Sequence, residues 1–395
     1  MAGLAALVIG YMLSQFYRAF LAVLTPSLIA ELGATKTDLS IASGAWFMAF
    51  ALSQFAVGVW LDRYGPKRTA GLILGIGGGG GAFLFAIASE PWMITAAMVL
   101  IGIGCAPVLM AAMFIFAHTW SPARLAVLVS STMGIGSLGN IIGASPLAAA
   151  AEAFGWRPVI AGLGLVTLMI AGAILVFVRD PEQSGQGGGG TGFSGYIELM
   201  KLRVLWPILP LVAMNYVPAG GIRGLWAGPY LADVYGLDAL AIGHATLFMA
   251  LAMSLGNFVW GPLDTLFRTR KWVSLAGNSM MLAALVFLAL NPAPGVFAST
   301  AVMVVIGLCG ASFGLMMAHG RAFLPPHLTG RGITLLNFFS IGTVGLMQFA
   351  TGAVVSASTV PHDPAAAYSA LYWFYAGTLG LALLVYLWAR DAKPG

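Results

Sequence analysis

The chain has 395 residues, of which 59% are hydrophobic and only 8% are charged. About a quarter of the residues of a water-soluble globular domain are normally charged, so this composition excludes that class and indicates a protein that lies in a lipid bilayer. The formal net charge of +5 lies mainly in the predicted loops, where we expect it to set membrane topology and not to bind nucleic acid.

Apolar runs long enough to cross a bilayer follow one another along the whole sequence. Each span needs about 20 mostly apolar residues, and the chain predicts twelve of them. The first run has no Lys or Arg start and no small-residue cleavage site, so we expect a structural span and not a signal peptide. The approximate limits are 4–31, 39–61, 70–89, 92–117, 124–150, 158–178, 205–232, 240–263, 272–290, 296–318, 331–355 and 367–389.

The basic residues lie mostly on one side of these spans. Fourteen of the 18 Lys and Arg residues fall in loops or ends on that side, whereas only Lys36 and Arg157 fall in loops on the other. Because Lys and Arg concentrate in cytoplasmic loops, both termini are predicted to be cytoplasmic, in a bacterial inner membrane.

A charged segment between the second and third predicted spans recurs in the second half of the chain. It reads GVWLDRYGPKRT from Gly58 and returns, more diverged, as GPLDTLFRTRKW from Gly261. The ends of the first and seventh spans are also similar, with LTPSLIAELG around Pro26 and AGPYLADVYG around Pro229. These repeats predict two pseudo-symmetric bundles of six helices each.

A polar, glycine-rich stretch separates the two predicted bundles. It contains SGQGGGGTG and cannot bury a core, which is typical of a flexible segment. We therefore predict an N-terminal six-helix bundle over residues 1–178, a cytoplasmic linker over 179–204 and a C-terminal six-helix bundle over 205–395.

The charged segment resembles the loop between helices 2 and 3 of the major facilitator superfamily, and FGWRP at Phe154 is similar to a turn that members often have before helix 6. The resemblance implies an all-α membrane protein of the major facilitator fold. It implies a secondary transporter and not an enzyme, with a solute site between the bundles, alternating access and no cofactor. In that family the loop carboxylate pairs with cations and helix N-termini as a gate. The gating residues predicted in this way are Gly58, Asp62, Arg63, Gly65, Arg68 and, in the second copy, Asp264.

Two positions depart from patterns that many members share. Met98 stands in helix 4 where many proton-linked members have an arginine, and Asn140 stands in helix 5 where many antiporters have a proline. The first departure removes a familiar route for proton coupling. The second makes drug export less favoured and uptake more favoured.

Two arginines lie inside predicted spans, Arg18 in the first and Arg223 in the seventh. An unpaired cation in hydrocarbon costs from about 3 to more than 10 kcal/mol, so each must meet a partner or a hydrated cavity. Helices 1 and 7 line the cavity in the family that the chain resembles. A guanidinium binds anions through paired hydrogen bonds, so we predict that the arginines bind solute; structural arginines satisfied by backbone carbonyls are the alternative. The predicted neighbours are Gln15, Tyr17, Asn215, Trp226 and Tyr230.

The arginines and several aromatic rings together favour a planar polar solute. A riboflavin-like vitamin is the leading candidate and an organic acid the next, taken up by a monomeric carrier whose partners are the solute and the bilayer. The rings that could stack on such a solute are Phe16, Tyr17, Trp46, Trp226, Tyr230 and Trp260.

A rival interpretation is a Cu(I) importer, because thioether sulfur is a soft ligand. Its ligands would come from Met249 and Met253, one helical turn apart, and from His319. The chain more loosely resembles the superfamily branch with CcoA-like copper importers and riboflavin transporters. The copper pattern is incomplete, since Gly221 and Leu225 occupy the helix 7 places where copper members have methionines. Without copper, no metal site is predicted; an exporter of drugs or metabolites and a non-transporting receptor or scaffold are further alternatives.

Overall fold

The computed structural model describes residues 2–120, 122–181, 194–325 and 328–393. These residues are almost entirely helical, and apart from one isolated bridge between Val360 and Asp363 they contain no extended pairing. The all-α class predicted from the sequence is confirmed.

The chain folds as two compact units. The N-terminal unit comprises Met1–Gly190 with Ala239–Gly243, and the C-terminal unit comprises Thr191–Asp238 with His244–Gly395. Of the predicted linker over 179–204, residues 182–193 lie outside the described residues.

The C-terminal part of the predicted linker, residues 194–204, contains a short helix. It covers Ser194–Met200, and its Leu199 is buried against Leu328 and Leu335. Apolar residues return in this part of the chain directly after the glycine-rich stretch, which explains why it packs on the C-terminal unit.

The N-terminal unit is built from helices that follow one another with short turns. A π-helical turn, Leu74–Gly79, joins α3 to α4. The helices are α1 (Ala2–Phe16), α2 (Phe20–Leu32), α3 (Lys36–Ile73), α4 (Gly80–Ala86), α5 (Pro91–Thr119), α6 (Pro122–Ile142), α7 (Ser145–Phe154) and α8 (Trp156–Phe177).

The C-terminal unit begins with short helical pieces and continues with long helices. A second π-helical turn, Ile222–Trp226, joins α11 to α12. The helices are α9 (Ser194–Met200), α10 (Leu209–Met214), α11 (Val217–Gly221), α12 (Ala227–Tyr235), α13 (Ala239–Phe267), α14 (Arg270–Leu290), α15 (Val296–Gly310), α16 (Phe313–Arg321), α17 (Thr329–Ala357) and α18 (Pro364–Tyr386).

The helices account for the predicted spans. Nine helices of the described residues are long and apolar enough to cross a membrane, and the bent pair of α1 and α2 would make ten. One of the nine, Lys36–Ala86, has 51 residues and covers the predicted span 39–61 and most of the predicted span 70–89. The predicted span over 205–232 is divided among the short helices α10, α11 and α12. The structure is therefore consistent with twelve spans.

A glycine face on α6 packs against α1. A Cβ atom built on Gly139 would lie 1.9 Å from the carbonyl oxygen of Met12, and one on Gly136 would lie 2.3 Å from the ring of Tyr11. Both distances are far below van der Waals contact, so the α6 backbone itself lies on α1. This close approach leaves room for no larger residue.

We expect Gly139→Ala to destabilise the protein by about 1–3 kcal/mol, because the new methyl group would overlap a backbone atom that cannot rotate away. Gly162→Ala in α8 is the matched control, since no atom lies within 4 Å of its Cβ position and alanine is the better helix former. Thermal melting of the purified protein measures both. Equal melting temperatures for the two variants would contradict the packing described here.

Candidate functional site

Arg18 lies in a break between two helices. Tyr17, Arg18 and Ala19 form a turn where α1 ends and α2 begins, and the two helices are bent by 48°. The amide of Arg18 bonds to the carbonyl of Gln15, only three residues earlier. Irregular backbone at membrane depth is tolerated where it is buried in protein or lines a hydrated cavity, so the break is typical of a functional position.

The Arg18 side chain lies on two buried aromatic rings. Its guanidinium carbon is 4.7 Å from the ring centroid of Phe50 and 5.4 Å from that of Trp46. The two rings stack on each other at 5.2 Å with an interplanar angle of 13°. Aromatic faces attract a cation, so these rings stabilise the charge of Arg18. They supply no oxygen acceptor for its N–H groups.

Two N–H donors of this arginine–aromatic cluster (Arg18, Trp46, Phe50) remain unsatisfied. Nε of Arg18 and Nε1 of Trp46 are buried and make no hydrogen bond to the described part of the chain. Leaving a buried donor unpaired costs about 1–3 kcal/mol. The cluster therefore has surplus donors and lacks acceptors, which suits a ligand rich in oxygen atoms.

The predicted neighbours of Arg18 bond within the N-terminal unit. The hydroxyl of Tyr17 is 2.9 Å from Oγ1 of Thr167, and Nε2 of Gln15 donates to the hydroxyl of Tyr11 at 2.8 Å. The structure thus places Tyr17 and Gln15 next to Arg18 along the chain with hydrogen-bond partners of their own. Their contact with a solute stays a prediction.

Arg223 lies in the second π-helical turn and is 2% exposed. In that turn the amide of Ala227 bonds to the carbonyl of Ile222, five residues earlier. Turns of this kind are rare and often occur at functional sites. Both predicted intramembrane arginines therefore lie where their helix departs from regular geometry.

Three predicted neighbours of Arg223 form hydrogen bonds in the C-terminal unit. The bonds of Trp226 run from Nε1 to Oε1 of Gln348 and to Oγ1 of Thr351, each at 3.0 Å. Those of Asn215 run from Nδ2 to Oδ1 of Asn278 at 2.9 Å and to Oγ of Ser312 at 2.8 Å. Tyr230 donates to the carbonyl of Pro292 at 2.9 Å. Their contact with solute stays a prediction.

Gln348 and Thr351 were not identified from the sequence. They stand three residues apart in the apolar helix α17, and both are fully buried. A polar pair on one face of an apolar span was the available signal, because such a pair must find partners inside the protein.

The predicted gating segment is a break in a helix and not an open loop. Helical geometry continues on both sides of Gly65, whose φ of 78° and ψ of 162° interrupt it. Directly after the break, the amide of Lys67 donates to Oδ1 of Asp180 at 2.8 Å. Asp62 and Asp180 line one cavity of about 370 Å³, together with Arg63 and Arg68 and other residues of the break.

Asp180 was not predicted as part of the gate. The sequence interpretation gave the pairing with a helix N-terminus to Asp62 and assigned Asp180 to the linker. In the structure Asp180 caps the helical turn that follows the break, where the N-terminal dipole favours a carboxylate. The gating roles of Gly58, Asp62, Arg63, Gly65 and Arg68 stay predictions.

The C-terminal unit has a related arrangement. Asp391 accepts hydrogen bonds from Oγ1 of Thr269 at 2.6 Å and from the amide of Lys271 at 2.9 Å. Asp264, the predicted second gating carboxylate, forms an ion pair with Arg270 at 3.1 Å. In each unit, an aspartate that follows the last long helix thus accepts a hydrogen bond from the backbone amide of a lysine, and this lysine lies at the start of an earlier helical segment.

These two capping aspartates share a sequence context. Arg179 precedes Asp180, and Arg390 precedes Asp391. Partial burial raises the pKa of Asp391. The hydrogen bonds from Thr269 and from the backbone amide of Lys271, together with smaller contributions from His319 and the amide of Arg270, lower it by more in sum, so the pKa of this carboxyl lies below its ordinary value.

The residues of the copper interpretation have packing and hydrogen-bonding roles. A Cβ atom on Gly307 would lie 3.0 Å from Cγ of Met249 and 3.1 Å from Cγ of Met253, so both methionine side chains pack over that glycine. The ring nitrogens of His319 bond to the Tyr386 hydroxyl at 2.6 Å and to the Arg390 carbonyl at 2.9 Å.

A carbonyl can only accept, so Nε2 of His319 donates to Arg390 and Nδ1 accepts from Tyr386. Neither nitrogen keeps a free lone pair for a metal in this arrangement. The described residues include no group of three or more His, Cys, Asp or Glu side chains that could hold a metal ion. Copper binding stays a prediction without support from these contacts.

The family model of the Major Facilitator Superfamily matches residues 7–226, which is more than half of the chain. The chain belongs to the Major Facilitator Superfamily. The match covers the arginine–aromatic cluster, the charged break and Arg223, and the protein is accordingly a multi-pass secondary transporter of that superfamily.

Comparisons with known proteins agree with this assignment. A protein of Cupriavidus necator named "Probable sulfoacetate transporter SauU" is 22% identical over 338 residues, which cover 81% of this chain and 78% of that protein.

Solved structures of superfamily transporters show the same fold. A D-xylose–proton symporter superposes with a TM-score of 0.78 at 12% identity, covering 98% of this chain and 97% of that chain. A bacterial homologue of the human lysosomal transporter Spinster, inward-facing and unoccupied, gives 0.77 at 18% identity, covering 100% and 98%. The nucleoside transporter NupG gives 0.75 at 14% identity, covering 98% of each chain.

The two predicted gating glycines should respond differently to substitution. We expect Gly65→Ala to cost about 1–3 kcal/mol, because only glycine readily adopts this backbone conformation. Its Cβ would also lie 2.6 Å from the carboxyl carbon of Asp180. Gly58→Ala is the control, because no atom lies within 4 Å of its Cβ position. Melting temperatures of both variants check this expectation, which a stable Gly65→Ala protein would refute.

The cap on α14 should depend on pH. Because the folded-state pKa of Asp391 is lowered, the ionised carboxylate stabilises the fold at neutral pH, and this contribution is lost as the pH falls through the unfolded value of about 3.9 towards the folded one. We expect Asp391→Asn to melt at a lower temperature than the unsubstituted protein at neutral pH, and the two to converge below about pH 4.

The control for this pH series is Glu152→Gln, which removes an exposed carboxylate in α7. Because substitutions of exposed side chains usually change stability by no more than about 0.5 kcal/mol, its melting temperature should stay close to that of the unsubstituted protein. A difference for Asp391→Asn that stays constant from neutral to acid pH would show that the carboxylate charge does not stabilise the cap.

Proposed function

We propose that this superfamily member takes up a small organic anion across a bacterial inner membrane by alternating access, with Arg18 as the residue that recognises the anionic group. The observation that carries the proposal is the pair of buried N–H donors, Nε of Arg18 and Nε1 of Trp46, that have no acceptor in the described part of the chain.

The chemistry of the cluster favours an anion over a neutral solute. The guanidinium lies on Phe50 and Trp46, and this contact lowers the cost of the charge while leaving donors for another group. Carboxylate and sulfonate oxygens accept several hydrogen bonds at once, and their bonds to a guanidinium are stronger than bonds between neutral groups. An organic acid would therefore satisfy both orphan donors and neutralise the cation.

The same contacts favour an organic acid over a planar vitamin. Of the rings predicted to stack on a planar solute, Trp46 is engaged with Arg18. Trp226 is anchored by Gln348 and Thr351, and Tyr230 bonds to Pro292. These three rings already make contacts within the protein, which leaves them less suited to stacking on a solute. Support also comes from the similarity to the Cupriavidus necator protein named "Probable sulfoacetate transporter SauU". Sulfoacetate carries both a carboxylate and a sulfonate.

Uptake of radiolabelled sulfoacetate and of a panel of small carboxylates into proteoliposomes tests this function. We expect Arg18→Ala to reduce uptake about 10- to 100-fold, because it removes charge-assisted hydrogen bonds of about 1.5–3 kcal/mol. Arg18→Lys should lie between this variant and the unsubstituted protein, since it keeps the charge but loses the paired donors. Trp46→Phe should raise KM by removing one donor while keeping a ring.

Arg321→Ala is the matched control, because Arg321 is an exposed arginine at the end of α16, and we expect uptake to be unchanged. All variants are compared at equal amounts of folded protein, measured by size-exclusion chromatography. Full uptake by Arg18→Ala, or transport of a neutral vitamin with no transport of any organic anion, would refute the proposal.

A further inference from the structure

We propose that Arg223, the second predicted solute-binding arginine, takes part in solute recognition and that Gln348 is its positioning residue, because the side-chain amide of Gln348 holds the π-helical turn that carries Arg223. The proposal rests on the proposed function for its effect on transport, but its structural part can be measured without any solute. All the contacts on which the proposal depends lie within the C-terminal unit.

A π-helical turn needs support from outside its own helix. Bonding from residue i to residue i+5 inserts one extra residue into the turn and interrupts the regular i to i+4 pattern of backbone bonds. In hydrocarbon, backbone groups that lose a partner cost several kcal/mol unless another group of the protein bonds to them. The turn Ile222–Trp226 thus persists only if neighbouring helices compensate it.

Gln348 bonds to both ends of this turn. Its Nε2 donates to the carbonyl of Gly221 at 3.2 Å, and its Oε1 accepts from Nε1 of Trp226 at 3.0 Å. Gly221 directly precedes the turn and Trp226 is its last residue. One amide therefore bridges the beginning and the end of the irregular segment.

The surroundings of the bridge are closely packed. Gln348 and Thr351 are fully buried, and Thr351 is a second acceptor for Nε1 of Trp226, at 3.0 Å. A Cβ atom on Gly221 would lie 2.3 Å from the hydroxyl of Tyr375. The backbone at Gly221 is thus confined between the amide of Gln348 and the Tyr375 ring.

The bridge determines where Arg223 is placed, because Arg223 lies between its two anchors. Removing the extra residue, as in a change from π to regular α geometry, would rotate the residues on one side of the turn by about 100° relative to those on the other. A misplacement of about 1 Å in a binding group can cost about 100-fold in rate. Holding the turn therefore fixes the direction of the arginine.

Three substitutions separate the contacts of Gln348. Gln348→Leu removes the two hydrogen bonds that form the bridge. Gln348→Glu keeps an acceptor for Trp226 but lacks the N–H donor for Gly221. Thr351→Val is the matched control, since it removes the other acceptor of Trp226 and a contact with Oε1 of Gln348 at 3.2 Å, but keeps both hydrogen bonds of the bridge. Hydrogen–deuterium exchange of the purified protein reports on the amides of residues 222–227, and uptake of sulfoacetate into proteoliposomes gives KM and Vmax.

We expect faster exchange at residues 222–227 in Gln348→Leu and Gln348→Glu, with slow exchange retained in Thr351→Val. We expect KM for sulfoacetate to rise about 10- to 100-fold in both Gln348 variants with little change in Vmax. Combined with Arg223→Lys, Gln348→Leu should raise KM by much less than it does alone, because both changes act on one guanidinium.

Unchanged exchange in the Gln348 variants would overturn the proposal, whatever solute the protein carries. Additive effects of Gln348→Leu and Arg223→Lys on KM would overturn the positioning role, and so would a normal KM in Gln348→Glu. If the unsubstituted protein takes up no organic anion, the proposed function fails, and the exchange measurement alone then decides whether Gln348 holds the turn.

Discussion

The structure depends on one constraint of the lipid bilayer: a polar group at membrane depth must find its partner inside the protein. The long apolar helices meet this constraint along their backbones. It becomes demanding at the two arginines, since each carries a charge and lies where the helix is broken or widened. The two units meet it differently. In the N-terminal unit, rings cover Arg18, whereas in the C-terminal unit a bridge of side-chain hydrogen bonds holds the backbone around Arg223.

This difference bears on how a carrier can recognise an anion. A cation that lies on aromatic faces keeps its hydrogen-bond donors available, because a π surface attracts charge without accepting the N–H bonds in the way that oxygen does. Two such donors around Arg18 are buried and have no partner among the residues that the structure describes. A buried donor without an acceptor destabilises the protein when no solute is bound. A solute that supplies oxygen acceptors removes this destabilisation, and the free energy gained favours binding.

Much of the fold followed from sequence patterns whose physical cause is local. Apolar length predicted the helices, and the recurring segments at Gly58 and Gly261 indicated a duplicated chain. The arginines were identifiable because charge is rare in apolar spans. Other features depend on contacts between distant residues. Nothing near Asp180 indicates that its carboxylate caps the amide of Lys67, and the partners of Trp226 lie 122 and 125 residues away. The interruption of the seventh span also depends on packing, since a π-helical turn has no pattern of its own in the sequence.

The two capping aspartates have a consequence for the order of assembly. The bond between Lys67 and Asp180 joins residues 113 apart, and the one between Lys271 and Asp391 joins residues 120 apart. Chains are synthesised from the N-terminus and larger proteins fold domain by domain. Neither helix start can be capped in this way until the last helix of its own bundle has left the ribosome. Each aspartate can therefore form its capping hydrogen bond only after the last helix of its bundle has been synthesised.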